Sequence, residues 1–213
     1  MYADGVYVDL YRPDPSVVQS ACRVLLAGGV ILYPTDTIYG LGCDALDRQA
    51  VERLVRIKGR SAAKGMLVLA GSPDWLPRLA REVPREADRL LATFWPGPLT
   101  VLLPAAPELP EPLVGAGGKI GVRVPNLPFL QQWLEGVQRP IVSTSANPSG
   151  APYTGDVERL RSLFANRVDL FLESGELPHS EPSTVVDLAE RPFRVVREGV
   201  GAAAVRAFLE KLV

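Results

Sequence analysis

The sequence predicts an α/β fold with a largely buried sheet. Short apolar runs alternate through most of the chain with segments whose apolar residues recur at helical spacing. Gly- and Pro-rich breaks such as Trp95-Pro96-Gly97-Pro98 separate the two kinds of segment. At 213 residues the chain is long enough for one sizeable domain, and no repeat or linker divides it.

Val6 to Leu10 reads as the first strand. Pro15 opens a helix in which Val17, Val18, Ala21, Val24 and Leu25 share a face, and Gly28-Gly29 ends it. Strand Val30 to Tyr33 stops at Pro34, which fixes φ and supplies no donor. From there to Gly42 the chain reads as a loop. Thr35, Asp36, Thr37 and Tyr39 offer donors and acceptors, and Gly40 and Gly42 permit a close approach that side chains forbid. Arg48 to Ile57 is a helix through Val51, Leu54, Val55 and Ile57, with Gly59 as its stop signal. Met66 to Ala70 is a buried strand, Trp75 to Arg81 and Arg85 to Phe94 are helices, and Leu99 to Leu103 is a strand. Residues 104–118 carry few core candidates and read as a long loop placed to cover a site. Strand Ile120 to Val124, helix Leu127 to Leu134 and strand Pro140 to Ser143 lead to a second polar loop, Thr144 to Thr154. Helix Val157 to Phe164, strands Val168 to Leu172, Thr184 to Leu188 and Phe193 to Val196, and helix Ala202 to Leu212 complete the order.

Composition narrows the function. A formal net charge of −1 gives no global attraction to nucleic acid or membrane, so anion binding has to rest on local clusters. Cys22 and Cys43 cannot form a disulfide framework, and the N-terminus does not resemble a signal peptide, which points to a reducing, cytoplasmic setting. No apolar stretch approaches the about 20 residues that span a bilayer.

Several chemistries are disfavoured by the residues themselves. Gly40-Leu41-Gly42-Cys43-Asp44-Ala45 fits the dinucleotide spacing without the strand before it and the helix after it. No GxxxxGK[ST] phosphate loop exists. His179 is the single histidine and reads as a solvated loop residue; Cys22 reads as a helix-core thiol and Cys43 as packing beneath the loop. Lys58-Gly59-Arg60, followed by Lys64, is either a solvated helix terminus or an anion site. Ser143-Thr144-Ser145-Ala146-Asn147-Pro148-Ser149-Gly150 is either a turn cluster or a ligand loop at a strand end.

Taken together, the motifs resemble those of the YrdC family of threonylcarbamoyl-AMP synthases. The resemblance is carried by Tyr33-Pro34-Thr35-Asp36-Thr37-Ile38-Tyr39-Gly40-Leu41-Gly42, Lys58-Gly59-Arg60, Phe94-Trp95-Pro96-Gly97-Pro98-Leu99-Thr100 and Val122-Arg123-Val124-Pro125. Ser143 through Gly150, Pro182-Ser183-Thr184-Val185-Val186-Asp187 and Val196-Arg197-Glu198-Gly199 continue it in the family's order, over about residues 15 to 199. Two positions depart from the pattern. Ser61 stands where proline is common, and Leu69 where several relatives carry a substrate-side histidine.

This resemblance implies one YrdC-like domain over residues 1–213, a twisted, mixed sheet flanked by helices with a concave cationic cavity, and the short, TsaC-like form without an added C-terminal domain. It also implies a nucleotidyltransferase that converts L-threonine, bicarbonate and ATP to threonylcarbamoyl-AMP and pyrophosphate, for transfer to tRNA by separate machinery. Threonine is expected against Thr37, Arg123, Ser143 and Ser183, with Arg123 on its carboxylate. Lys58, Arg60, Lys64, Lys119, Ser145, Asn147 and Arg197 are expected on the nucleotide, with Lys58, Arg60, Ser145 and Asn147 serving catalysis. Mg²⁺ is expected to arrive with ATP, with no dedicated protein site. The alternatives are a non-catalytic RNA-binding or ribosome-assembly module with weak, salt-sensitive RNA binding, and a carbamoyl-transfer relative.

Overall fold

In the computed structural model, residues 5–59, 65–114, 117–164, 166–175, 177, 179 and 181–212 are described. The strands are β1 (Val6–Tyr7), β2 (Ile31–Tyr33), β3 (Gly40–Gly42), β4 (Leu67–Leu69), β5 (Leu99–Pro104), β6 (Lys119–Arg123), β7 (Ile141–Ser145), β8 (Leu170–Glu173), β9 (Thr184–Asp187) and β10 (Arg194–Arg197). They form one sheet in the order β1-β8-β2-β3-β7-β4-β6-β5-β9-β10. It is mixed: β8 runs parallel to both β1 and β2, β4 to β6 and β5 to β9, whereas the remaining neighbours are antiparallel.

The helices are α1 (Pro15–Leu26), α2 (Arg48–Lys58), α3 (Leu76–Leu79), α4 (Ala87–Phe94), α5 (Glu111–Val114), α6 (Pro128–Val137), α7 (Val157–Phe164) and α8 (Ala202–Leu209). Their ends follow local chemistry. Asp14 caps α1 by accepting from the Ser16 amide, with Pro15 supplying the preset φ of the first turn. Asp47 caps α2 through the amides of Gln49 and Ala50, and Gly59 ends it at φ 61°, the left-handed conformation that glycine adopts without Cβ strain.

Side-chain alternation divides the core in two. Leu32, Val68, Val101, Val122, Val142 and Val186 join one apolar cluster with Val51 and Leu54 of α2 and Leu90 of α4. Ile31, Tyr33, Leu69 and Ile141 join the other, under α1 and α6, where Tyr33 meets the Trp133 ring edge-on at 5.0 Å. Leu69 lies opposite both Arg123 and Ile141, and Leu67 lies opposite Gly121 and Ser143, so these residues share the face that carries α1 and α6. The two helices cover that face over the Leu69 side. Where Leu67, Gly121 and Ser143 stand, it borders a cavity instead.

Three differences from the sequence expectation bear on the cavity. Gly40 to Gly42 is a strand between β2 and β7, not a loop. Glycine is depleted in strands, which favours the loop reading, but here tertiary crowding demands it. A Cβ on Gly42 would stand 2.4 Å from the Val142 carbonyl oxygen and 2.7 Å from the Tyr33 ring. Strand β7 continues through Thr144 and Ser145, which carries those hydroxyls on the sheet itself. The 104–118 segment contains α5 and is anchored, since Leu113 is fully buried and its carbonyl accepts from the Met66 amide at 2.8 Å.

Candidate active site

A cavity of about 660 Å³ opens on this face of the sheet. Its size lies within the range of small-molecule sites. It is bordered by the β2–β3 connection, the alternating residues Lys119, Gly121 and Arg123 of β6, Ser143 and Ser145 of β7, Thr100 of β5, and Ser183 and Arg197 near the β9–β10 edge.

The β2–β3 connection is held by its own hydroxyls. Thr35 Oγ1 accepts from the amides of Thr37 and Ile38 at 3.0 and 3.1 Å and donates to the Ile38 carbonyl at 2.6 Å. Such a turn satisfies backbone groups that Pro34 keeps out of the ladder. Thr37 Oγ1 then accepts from Arg123 Nη1 at 3.2 Å. Arg123 also donates through Nε to the Gly97 carbonyl at 2.9 Å. Its Nη2 lies 2.5 Å from Asp36 Oδ1, a contact whose geometry makes it an ion pair rather than an aligned hydrogen bond. Both charges are buried, so their mutual neutralisation offsets a large desolvation cost.

Lys58 ends α2 and is also buried. Its ammonium donates to the Ser145 carbonyl, to the Asn147 carbonyl at 3.1 Å and to Asn147 Oδ1 at 3.0 Å, and lies 3.3 Å from Ser145 Oγ. Ser145 Oγ in turn donates to Asn147 Oδ1 at 2.6 Å. The cation therefore ties the end of α2 to the β7 loop, and the Ser149 amide adds a bond to the Lys58 carbonyl at 2.9 Å. Lys58 and Asn147 stand behind the cavity wall that Ser145 presents.

At the far edge, Arg197 donates to the Ser183 carbonyl through Nε at 3.1 Å and Nη2 at 2.9 Å, and to Ser183 Oγ at 3.0 Å. Desolvation first, and the Arg123 charge second, draw the Arg197 pKa below its ordinary value. More than a third of the residue still meets solvent, which screens that effect. Lys119 pairs with Asp187 at 2.8 Å and Glu190 at 3.0 Å, and these bonds, Asp187's first, raise its pKa.

Of the residues singled out in the sequence, Thr37, Lys119, Arg123, Ser143, Ser145, Ser183 and Arg197 border this one cavity, while Arg60 and Lys64 lie outside the described residues. Among the described lining cations, Lys119 and Arg123 are each balanced by carboxylates, whereas the Arg197 bonds run to neutral oxygens. Leu69 turns into the apolar cluster beneath α1 and α6 and itself brings no polar group to that position. Thr100 and Tyr153 also border the cavity and were not singled out as site residues. Thr100 is legible only once β5 alternation is referred to a known face; Tyr153, whose hydroxyl accepts from the Tyr39 amide at 2.9 Å, has no periodic signal.

The thiols are poor nucleophiles. Burial, reinforced by Asp44, drives the Cys43 pKa up, and desolvation raises that of Cys22. His179 is exposed. Among the described residues, no group of three or more His, Cys, Asp or Glu side chains converges, and no helix is long and apolar enough to cross a membrane.

Comparison with known proteins gives this cavity a context. The family model Sua5_yciO_yrdC, described as "Telomere recombination", matches residues 23–199. A Pyrococcus abyssi protein named threonylcarbamoyl-AMP synthase is 35% identical over 182 residues; the match covers 85% of this chain but 54% of that protein, so this chain spans about half its length. A Pseudomonas fluorescens protein of the same name is 38% identical over 172 residues, covering 81% of this chain and 92% of the relative. The crystal structure of P. abyssi Sua5 complexed with L-threonine superposes with a TM-score of 0.85 at 33% identity, over 91% of this chain and 57% of that one. By the length of the family match and the identity over most of its residues, the chain belongs to the Sua5/YciO/YrdC family.

Proposed function

We propose that the protein is a threonylcarbamoyl-AMP synthase, a nucleotidyltransferase that converts L-threonine, bicarbonate and ATP to threonylcarbamoyl-AMP, pyrophosphate and water. One observation carries this reading: Thr37, Arg123, Ser143 and Ser183 come from four separate segments and border one cavity, in a family whose relatives bear that name. The threonine bound in the P. abyssi structure supports an amino acid as one ligand.

The chemistry needs no nucleophile from the protein. The threonine amine takes up bicarbonate as a carbamate, releasing water. A carbamate oxygen then attacks the α-phosphorus of ATP, forming the P–O bond as the bond to pyrophosphate breaks. The protein supplies position and charge, which suffice for transfer at phosphorus. Arg123 keeps N–H groups beyond those turned to Gly97, Thr37 and Asp36, and these suit the threonine carboxylate. Arg197, with its bonds only to neutral Ser183 oxygens, suits a phosphate. Lys58 acts through Ser145 and Asn147, holding the β7 loop at the nucleotide.

Asp36 and Asp187 are each engaged by a cation, Arg123 and Lys119 respectively. Mg²⁺ enters on this reading as part of the nucleotide substrate, held by phosphates and water. The product, a mixed anhydride, passes to the machinery that modifies tRNA in the cytoplasm.

Purified protein incubated with MgATP, bicarbonate and L-threonine is expected to release pyrophosphate only when all three are present. Release independent of threonine and bicarbonate overturns the reading. Salt-sensitive RNA binding with no pyrophosphate release supports the binding-module alternative instead.

A further inference from the structure

Ser183 Oγ stands between two partners. Arg197 Nη2 reaches it at 3.0 Å, and Thr100 Oγ1 at 2.8 Å. Ser183 and Thr100 are 3% and 1% exposed, yet both border the cavity. Thr100 is held on this face by the β5–β9 ladder, in register with Val185. A Cβ on Gly199 would come 2.0 Å from the Pro182 carbonyl oxygen, so the chain just past Arg197 is pressed against the Ser183 segment.

Proton accounting gives this row a direction. A guanidinium only donates, so Ser183 Oγ accepts from Arg197. One proton on Ser183 and one on Thr100 remain for the contact between the hydroxyls, and either can fill it. When Thr100 donates, both Ser183 lone pairs are filled and the Ser183 proton is released toward the cavity. When Ser183 donates to Thr100, Ser183 has no proton left to offer a ligand.

We propose that Thr100 is a positioning residue: by donating to Ser183 it frees the Ser183 hydroxyl to donate to an anionic oxygen in the cavity. The proposal rests on the anion-binding reading of the site. The oxygen belongs to the threonine carboxylate or to a phosphate of the nucleotide. Either way Thr100 acts through Ser183. Its donated bond pins the Ser183 hydroxyl with the proton turned to the cavity and polarises that O–H, so the donor meets the anion already oriented and strengthened.

Thr100→Val keeps the branched shape and strand preference and removes the hydroxyl. Calorimetric titration of wild type and variant with L-threonine and with MgATP, separately, distinguishes the two sources. Affinity for one of them is expected to fall about tenfold, the scale of one hydrogen bond to a charged group, while the other stays within about twofold. Thr100→Ser is expected to restore it. In a Ser183→Ala background, Thr100→Val is expected to cost nothing further, with thermal melting showing that each variant is folded. Wild-type affinity for both ligands in Thr100→Val overturns the relay, as do equal losses for both, failed rescue by serine, or an undiminished effect without Ser183. Wild-type protein that binds neither ligand overturns both the relay and the synthase reading. Thr100-dependent binding without pyrophosphate release supports the relay and removes only the synthase.

Discussion

The guanidinium of Arg123 and the carboxylate of Asp36 lie 2.5 Å apart, with less than a tenth of either side chain open to solvent. Removing one partner strands the other charge with little access to water. Asp36→Ala is expected to destabilise the fold by about 3–5 kcal/mol, measured by urea denaturation, and to weaken threonine binding in calorimetry as Arg123 loses its alignment. A loss of stability below about 1 kcal/mol sinks this account of the pair.

Lys58 is a second buried cation, and the Ser145 and Asn147 oxygens that it meets are neutral. Lys58→Met retains the apolar stem and deletes the ammonium. The expected result is a loss of about 2 kcal/mol in stability together with slower pyrophosphate release, because Ser145 and Asn147 lose a shared donor. A variant of unchanged stability but abolished turnover would instead assign Lys58 to the phosphates alone.

The two glycines of β3 are expected to respond differently to alanine. At Gly42 the new Cβ would meet backbone at 2.4 Å, and the strand cannot yield without breaking the β3–β7 pairing. At Gly40 the nearest atom is Ser143 Oγ at 3.3 Å, a side-chain atom on the cavity wall. Gly42→Ala should cost about 1–3 kcal/mol in a melting experiment. Gly40→Ala should leave the melting curve nearly in place while raising the KM for threonine. Equal stability losses in both variants refute the distinction.

Asp169 is expected to contribute to the acid side of the stability profile. Burial pushes its carboxyl pKa up, but bonds from Arg53 and the Val30 amide, at 3.0 and 2.7 Å, more than reverse this and leave it below the ordinary value. A carboxylate with a depressed folded pKa contributes stability above its unfolded pKa, near about 3.9, and loses it as pH falls through the folded value. Asp169→Asn is therefore expected to lower stability at pH 7 and flatten its decline below about pH 4. Parallel stability curves for wild type and variant contradict this.

Much of the architecture is legible in the chain. Proline-initiated helices, the stop at Gly59 and the apolar runs of β2, β4 and β5 are local statements, written in φ preferences and side-chain periodicity. Gly40 to Gly42 is misread because its glycines answer to Tyr33 and Val142, which no local rule connects to them. Likewise the 104–118 segment looks unanchored until Leu113 is seen in the core.

The candidate site divides along the same line. Thr37, Arg123, Ser143, Ser183 and Arg197 are recognisable from motif order, and the fold brings them to one cavity. Their chemical condition is another matter. That Arg123 meets Asp36, that Lys119 meets Asp187, and that Lys58 stands behind Ser145 are contacts between segments distant in sequence. The sequence alone determined which polar groups exist and the order in which strands and helices carry them. Only the tertiary structure decided which cations are neutralised, which hydroxyls face the cavity and that Thr100 stands behind Ser183, because Coulomb attraction and hydrogen bonding act over a few ångströms of space, whatever the separation along the chain.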